Sequence, residues 1–178
     1  DFKNDIPQIG EEPDPAPELP QNNLSWILAC EDLGSTDDYD FNDIVLEIMK
    51  NTANNSVEVR CLAAGGTIPA YITYNDVEIG EAHALLGGQT NQMINTNSFG
   101  AASKWQTLTG VNVDMSIDEI INKISIRVTQ NEGDVYATEI KAPETGEAPQ
   151  MIIVPGDWEW PAERKGIETA YPDFTNWS

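Results

Sequence analysis

Basic residues are scarce in this chain. Nine Lys and Arg stand against thirty Asp and Glu in 178 residues, a formal charge of −21. That balance argues against nucleic acid or an anionic membrane as a partner. It suits a protein that takes up cations, or one that relies on charge to stay in solution. Histidine occurs once, as His83, and cysteine twice, as Cys30 and Cys61, with no Cys-x-x-Cys pair. A zinc site of cysteines and histidines is therefore excluded. No apolar run approaches the roughly 18 to 20 residues that a membrane-spanning helix needs. Periodic helices longer than three turns are missing, as are internal repeats. There is no Gly-x-Ser-x-Gly elbow, no phosphate-binding glycine loop and no His-Glu-x-x-His. Without a partner nucleophile, His83 reads as a histidine making a structural hydrogen bond, and the chain is expected to be non-catalytic.

The composition divides the chain in two. Residues 1–23 hold five of the eleven prolines and six acids, with one Lys and no apolar period. They read as an acidic, Pro-rich linker leading into a single domain over residues 24–178, long enough to bury a sizeable core. The chain begins at Asp1 rather than Met, which points to an upstream segment that has been removed, such as a signal peptide or a lipoprotein leader. A lipid anchor upstream of residue 1 is one form of that expectation. Cys30 and Cys61 fall on the apolar side of their alternations. They read as two buried free thiols, with one disulfide as the alternative in an oxidising compartment.

From residue 24 onward, short apolar runs alternate with turn residues. Residues 24–31 and 43–50 alternate as strands, and 57–63 follows after the turn cluster 51–55. Asn75-Asp76 reads as a hairpin connection between 68–74 and 77–79. Residues 80–102 read as loop with a short helix near 82–86. Short strands are expected at 105–108 and 111–113, then one helical turn capped by Ser116 or Asp118. Residues 123–130 and 135–141 read as strands joined by a turn at 131–134, and 151–154 as a further strand after a loop at 142–149. Between Pro161 and Pro172 there is room for one more short helix. The fold class expected is mainly β: an antiparallel, jelly-roll-like β-sandwich with one or two short helices. The aromatic tail is expected to cover one edge or end of it.

The densest chemistry lies between Glu31 and Asp43. Glu31, Asp32, Asp37, Asp38, Asp40 and Asp43 place six carboxylates in thirteen positions with no Lys or Arg among them. Like charges packed this closely need a cation or screening by water. Asp38-x-Asp40-x-Asn42 sets oxygen side chains at alternate positions, which a curled backbone can turn toward one centre, and Glu31 and Asp32 arrive from the preceding strand. Calcium takes roughly six to eight such oxygens. Magnesium keeps more of its water and needs fewer protein ligands. The pattern departs from an EF-hand loop: Asp43 stands where its turn glycine belongs, Met49 where its bidentate Glu belongs, and residues 44–48 read as strand. The alternative is a polar hairpin loop whose Asp and Asn side chains make local turn bonds.

Several ordered blocks carry a family resemblance. They are Glu31-Asp32-Leu33, Asp38-Tyr39-Asp40-Phe41-Asn42-Asp43-Ile44-Val45, Ala64-Gly65-Gly66-Thr67-Ile68-Pro69, Glu81-Ala82-His83 and Met93-Ile94-Asn95-Thr96. They continue in Ala148-Pro149-Gln150, Val154-Pro155, Trp160-Pro161-Ala162-Glu163-Arg164 and Ala170-Tyr171-Pro172-Asp173-Phe174. Together they resemble the LruC-type domain family of secreted proteins and lipoproteins from Bacteroides-like bacteria, a family of largely unknown role. The resemblance implies an exported location, whether periplasm, outer membrane or cell surface. It also implies a calcium ion at Asp38, Asp40, Asn42 and Asp43, with Glu31 and Asp32 in support.

Five Trp and five Tyr raise carbohydrate binding as an alternative function, with Trp158, Trp160, Tyr171, Phe174 and Trp177 concentrated in the tail. Covering an open part of the sandwich is the simpler role for them. A glycan hydrolase is the remaining alternative. It would use a carboxylate pair such as Glu159 and Glu163, which helix capping and a salt bridge to Arg164 explain more simply. The expected partner is a protein or a glycan.

Overall fold

The computed structural model describes residues 24–31, 39–97, 99–129, 138–142 and 150–173. The expected linker and the turn at 131–134 lie outside these residues, as does most of the loop at 142–149. Among the described residues, nine strands form two antiparallel sheets. One sheet orders β6(Gln106–Thr107), β3(Ser56–Ala64), β2(Ile44–Asn51), β1(Ser25–Cys30) and β9(Met151–Pro155). The other orders β5(Val77–Glu81), β4(Ala70–Tyr74), β7(Ile124–Val128) and β8(Thr138–Ile140). The expected antiparallel sandwich is present. Three short helices accompany it, where one or two were expected: α1(Ala82–Leu85), α2(Ile117–Ile121) and α3(Ile167–Ala170). No helix among the described residues is long and apolar enough to cross a membrane.

Period-two alternation builds the interior. Trp26, Leu28 and Cys30 of β1, Ile44, Leu46 and Ile48 of β2, and Val57, Val59 and Cys61 of β3 enter one buried cluster. Ala70, Ile72 and Tyr74 of β4 and Ile124, Ile126 and Val128 of β7 meet them from the facing sheet. Successive side chains on a strand point to opposite faces, so every second residue lands inside. A register shift between Val45 and Leu46 leaves Leu62 as an extra residue on β3. Its effect is to reverse the phase of β3, so that Ala63 faces outward and Ala64 inward.

The local signals for the ends of elements are physical ones. Asn75 and Asp76 take left-handed φ values of 49° and 62° in the turn between β4 and β5, as a two-residue hairpin requires. Ser116 caps α2 in a capping box with Glu119, and Glu81 caps α1 through Ala84 N–H. Residues 111–113, expected as a strand, are loop and turn instead. Three residues with little to pair against do not hold an edge.

The outer face of the five-stranded sheet is also apolar at one end. Ile27, Val45 and Ala63 are buried there, against Leu62, Val154, Trp158 and Trp160. Ala29 and Ile152 are buried beside them with Phe41 and Ile167. The segment after β9 therefore forms a partial third layer over a sheet face, where an edge or end was expected to be covered. It runs beside the acidic loop.

Candidate functional site

The loop from Glu31 to Asp43 is anchored at both ends by backbone bonds. Glu31 leaves β1 with its N–H bonded to Gln150 O at 2.9 Å. Its carboxylate is only 2% exposed and accepts the Phe41 N–H at 3.0 Å. Tyr39 and Phe41 both hold left-handed φ values, 53° and 52°, a conformation that costs a bulky L-residue on the order of 1 kcal/mol or more. Burial of the Phe41 ring against Ala29, Ile152 and Ile167 offsets that cost. So does the bond from Ile167 N–H to Tyr39 O at 2.8 Å.

Asp40 is likewise 2% exposed. Its Oδ1 accepts the Asn42 N–H at 3.2 Å and its Oδ2 accepts the Arg164 N–H at 2.6 Å. Asn42 is fully buried. Its Nδ2 donates to Pro161 O at 3.3 Å, and its carbonyl accepts the Gly65 N–H at 3.1 Å. The Oδ1 of Asn42 has no hydrogen-bond partner and lies against Gly65. A Cβ at Gly65 would collide with that oxygen and come within 2.8 Å of the Asn42 carbonyl. Only glycine fits there, for reasons of space rather than φ.

Of the six residues expected to hold a metal, the structure brings Glu31, Asp40 and Asn42 into one corner. Asp43 stands one residue before β2, partly buried, and its carbonyl accepts the Gly65 N–H at 2.8 Å. Asp32 and Asp38 lie outside the described residues, as does Asp37. Among the described residues no group of three or more His, Cys, Asp and Glu side chains is arranged to hold a metal ion. The donors that are placed, two carboxylates and an amide, are of the chemistry a hard cation prefers. Each carboxylate oxygen has two acceptor sites, so accepting one backbone N–H does not saturate it.

Sequence reasoning missed what the loop is fastened to. Blocks remote in the chain converge on Asp40 and Asn42: Gly65 after β3 and Pro161 of the covering segment bond Asn42, Arg164 of the same segment bonds Asp40, and Thr96 lies beside Gly65. Trp160 Nε1 donates to Asn95 O at 3.0 Å, and Glu163 N–H to Thr96 O at 3.2 Å. Ala64 and Ile94 exchange two backbone bonds at 3.0 and 2.7 Å. The sequence signal was the string of small and polar residues in these blocks, Gly65, Asn95 and Thr96 among them. Their partners are not readable from spacing.

Aromatic residues of the tail make ring contacts. Trp158 stacks on Tyr171 with ring centroids 5.7 Å apart, and Phe99 meets Trp160 edge-on at 4.6 Å. Phe174 and Trp177 lie outside the described residues. Glu163 sits 3.6 Å from Arg164 Nε. Helix capping does not explain the Glu159 and Glu163 pair, because the N-cap of α3 is Gly166, with no side-chain cap bond. Cys30 and Cys61 are buried free thiols. They sit on β1 and β3, on either side of β2, which places them about 10 Å apart and beyond the roughly 7 Å that a disulfide spans between Cα atoms. Burial pushes the Cys61 thiol up to about 12 and raises Cys30 as well, with the Asp43, Cys61 and Glu31 charges adding to the latter. Neither is a nucleophile at neutral pH.

His83 is fully buried, with Nδ1 2.6 Å from Glu81 Oε1 and Nε2 2.8 Å from Gly66 O. Each ring nitrogen thus lies within hydrogen-bond distance of an oxygen.

The fold and the corner define a β-sandwich domain with a buried, polar-stapled corner at Glu31, Asp40 and Asn42. Residues 128–178 match the model of an uncharacterised family, the domain of unknown function DUF4842. That stretch takes in β8, β9 and the covering segment that carries Pro161, Arg164 and Ile167. Neither a curated protein nor a solved structure matches the chain.

Proposed function

We propose that this chain is a non-catalytic, exported interaction domain of the LruC type, acting in the periplasm or at the cell surface. Its 31–43 loop would be set by one structural calcium ion held among Glu31, Asp32, Asp38, Asp40, Asn42 and Asp43. The observation that carries this reading is the burial of Glu31 and Asp40, each 2% exposed, with Glu31 accepting the N–H of Phe41, the residue next to Asp40. Burying a carboxylate costs several kcal/mol unless charge and hydrogen bonds compensate it. Backbone N–H groups supply part of that compensation, and a bound divalent cation would add to it. Calcium contributes charge neutralisation and a cross-link between β1 and β2. The chain's own residues do the remainder: Asn42 and Gly65 fix the exit of the loop, and Arg164 N–H orients Asp40.

The partner is a protein or a glycan. Trp158 and Trp160 are spent on covering Ile27, Val45 and Ala63, which favours recognition through the loops over an aromatic sugar platform.

Calorimetric melting in EDTA and then in excess calcium tests the ion. At free calcium one hundred times its dissociation constant the native state gains about 2.7 kcal/mol, read as a rise of several degrees in Tm. An unchanged Tm together with no bound ion by titration overturns the metal reading. A glycan array and a pull-down test the partner.

A further inference from the structure

We propose that His83 is a buried imidazolium whose two N–H groups clamp the 65–70 connection, so that deprotonation of this ring loosens the anchor of the acidic loop. Gly66 O can only accept, so the 2.8 Å contact at Nε2 places a proton on that nitrogen. Glu81 accepts two backbone N–H groups, that of Ala70 on Oε1 at 3.3 Å and that of Ala84 on Oε2 at 2.9 Å, and its Oε1 lies 2.6 Å from His83 Nδ1. A carboxylate receiving that many donors is held ionised, so the proton between Glu81 and His83 sits on Nδ1. Two N–H groups make the ring a cation. A neutral ring has one, and would turn a buried lone pair toward either Glu81 or Gly66 O at the cost of an unsatisfied polar contact.

The position of the clamp gives it a consequence. Ala70 N–H and Gly66 O are both held by the Glu81–His83 pair, which pins the two ends of the connection between β3 and β4. Gly65, next to Gly66, donates to the Asn42 and Asp43 carbonyls, the exit of the acidic loop. The elements packed on α1 are β3, β4 and β5. Their titratable and charged groups are Glu58, Arg60 and Cys61, then Tyr71 and Tyr74, then Glu78 and Glu81. Glu81 presents a charge bonded to the ring. Arg60 is paired instead with Glu47 at 2.6 Å, and Glu58 bonds Asn51 and Ser56. The sign follows: what the charged ring contributes is complete below the pH at which an unfolded histidine titrates, and is lost as pH rises through the titration of the folded ring.

His83 is the sole histidine, so ring nitrogen NMR reads it without ambiguity. All measurements are made in EDTA, which keeps the outcome independent of any calcium site. The expected result is an imidazolium signature at pH 7.5, a full unit above the roughly 6.5 of a free histidine. Amide-exchange protection of Gly65 should then fall as the ring titrates. Glu81→Gln keeps an acceptor but removes the charge, and should move the ring titration to lower pH by a unit or more. A neutral tautomer at pH 7.5 overturns the protonation state. Protection of Gly65 that stays level through the ring titration overturns the clamp. Both readings use the unsubstituted protein, so misfolding of a variant does not shelter the proposal.

Discussion

On the outer face of the four-stranded sheet, side chains bond to one another: Thr73 Oγ1 lies 2.8 Å from Ser125 Oγ, which donates to Glu139 Oε1 at 2.8 Å. Arg127 bridges Glu139 and Asp76 in the same row. The outer face of the five-stranded sheet is apolar where Ile27, Val45 and Ala63 emerge, and residues after β9 cover it. Among the described residues, the first face is bonded within its own sheet. The second is complete only when a distant segment lies on it, and polar staples from Asn42 and Asp40 hold that segment in place. A sheet face that cannot meet water recruits another part of the chain, and here the recruited part also fastens the acidic loop.

The comparison is broken most severely by emptying the covered face. Phe41 is the largest fully buried side chain and touches both the sheet and α3. Phe41→Ala should cost about 3–5 kcal/mol in urea denaturation, as large aromatic truncations in cores do. Thr73→Ala on the polar face should cost about 1 kcal/mol, the scale of one hydrogen bond. Equal losses at the two positions would mean that the covering segment contributes no packing of its own.

Gly65→Ala comes next, at about 1–3 kcal/mol, the usual cost of overpacking. The new methyl meets Asn42 Oδ1 and the Asn42 carbonyl. Combining it with Asn42→Ala sharpens the point. If Gly65 is required for Asn42 alone, the two losses are non-additive. Additive losses would place the constraint in the backbone instead.

These two sites also mark how far the sequence could be read. The strands were legible because Leu28, Leu46, Ile72 and Ile126 repeat at period two, and burial of one face is a local property of the chain. Ser116 and the Asn75-Asp76 turn were legible for the same reason: their partners lie within a few residues. The density of the acidic loop was visible, and so was its oxygen chemistry. Its fastening was not, because Asn42 bonds Pro161 and Asp40 bonds Arg164 across more than a hundred residues. The bulge at Leu62 was invisible as well. An extra residue in a strand changes which side chains face inward without changing the composition around it.

Acid should distinguish two carboxylates that sit in different settings. Burial pushes Glu81 up, but the hydrogen bonds from His83, Ala84 and Ala70 outweigh it and leave it below the ordinary range. At Glu139 the Ser125 hydroxyl is the leading cause, with burial opposing and Arg127 assisting, and the result is again a lowered value. Each group therefore contributes stability above the pH at which a free Glu titrates, and that contribution is lost as pH falls through the folded value. A stability profile between pH 5 and pH 2 should lose part of its slope in Glu81→Gln and a different part in Glu139→Gln. An unchanged profile in either variant would remove that carboxylate from the account.

The smallest effect is expected where the polar face is most exposed. Arg127 reaches Asp76 at 2.6 Å, but the Asp76 side chain is 89% exposed, and Glu139 stands 3.3 Å away on the other side. Water and salt compete at such a site, and holding a long side chain in place has an entropic cost. Arg127→Ala should therefore shift stability by less than any of the substitutions above, and by less again in high salt. Its ladder is kept by the backbone bonds between β4, β7 and β8, none of which the substitution touches. A loss comparable with Gly65→Ala, persisting at high salt, would mean that this polar row is as integral as the covered face, and that the contrast between the two faces is one of composition only.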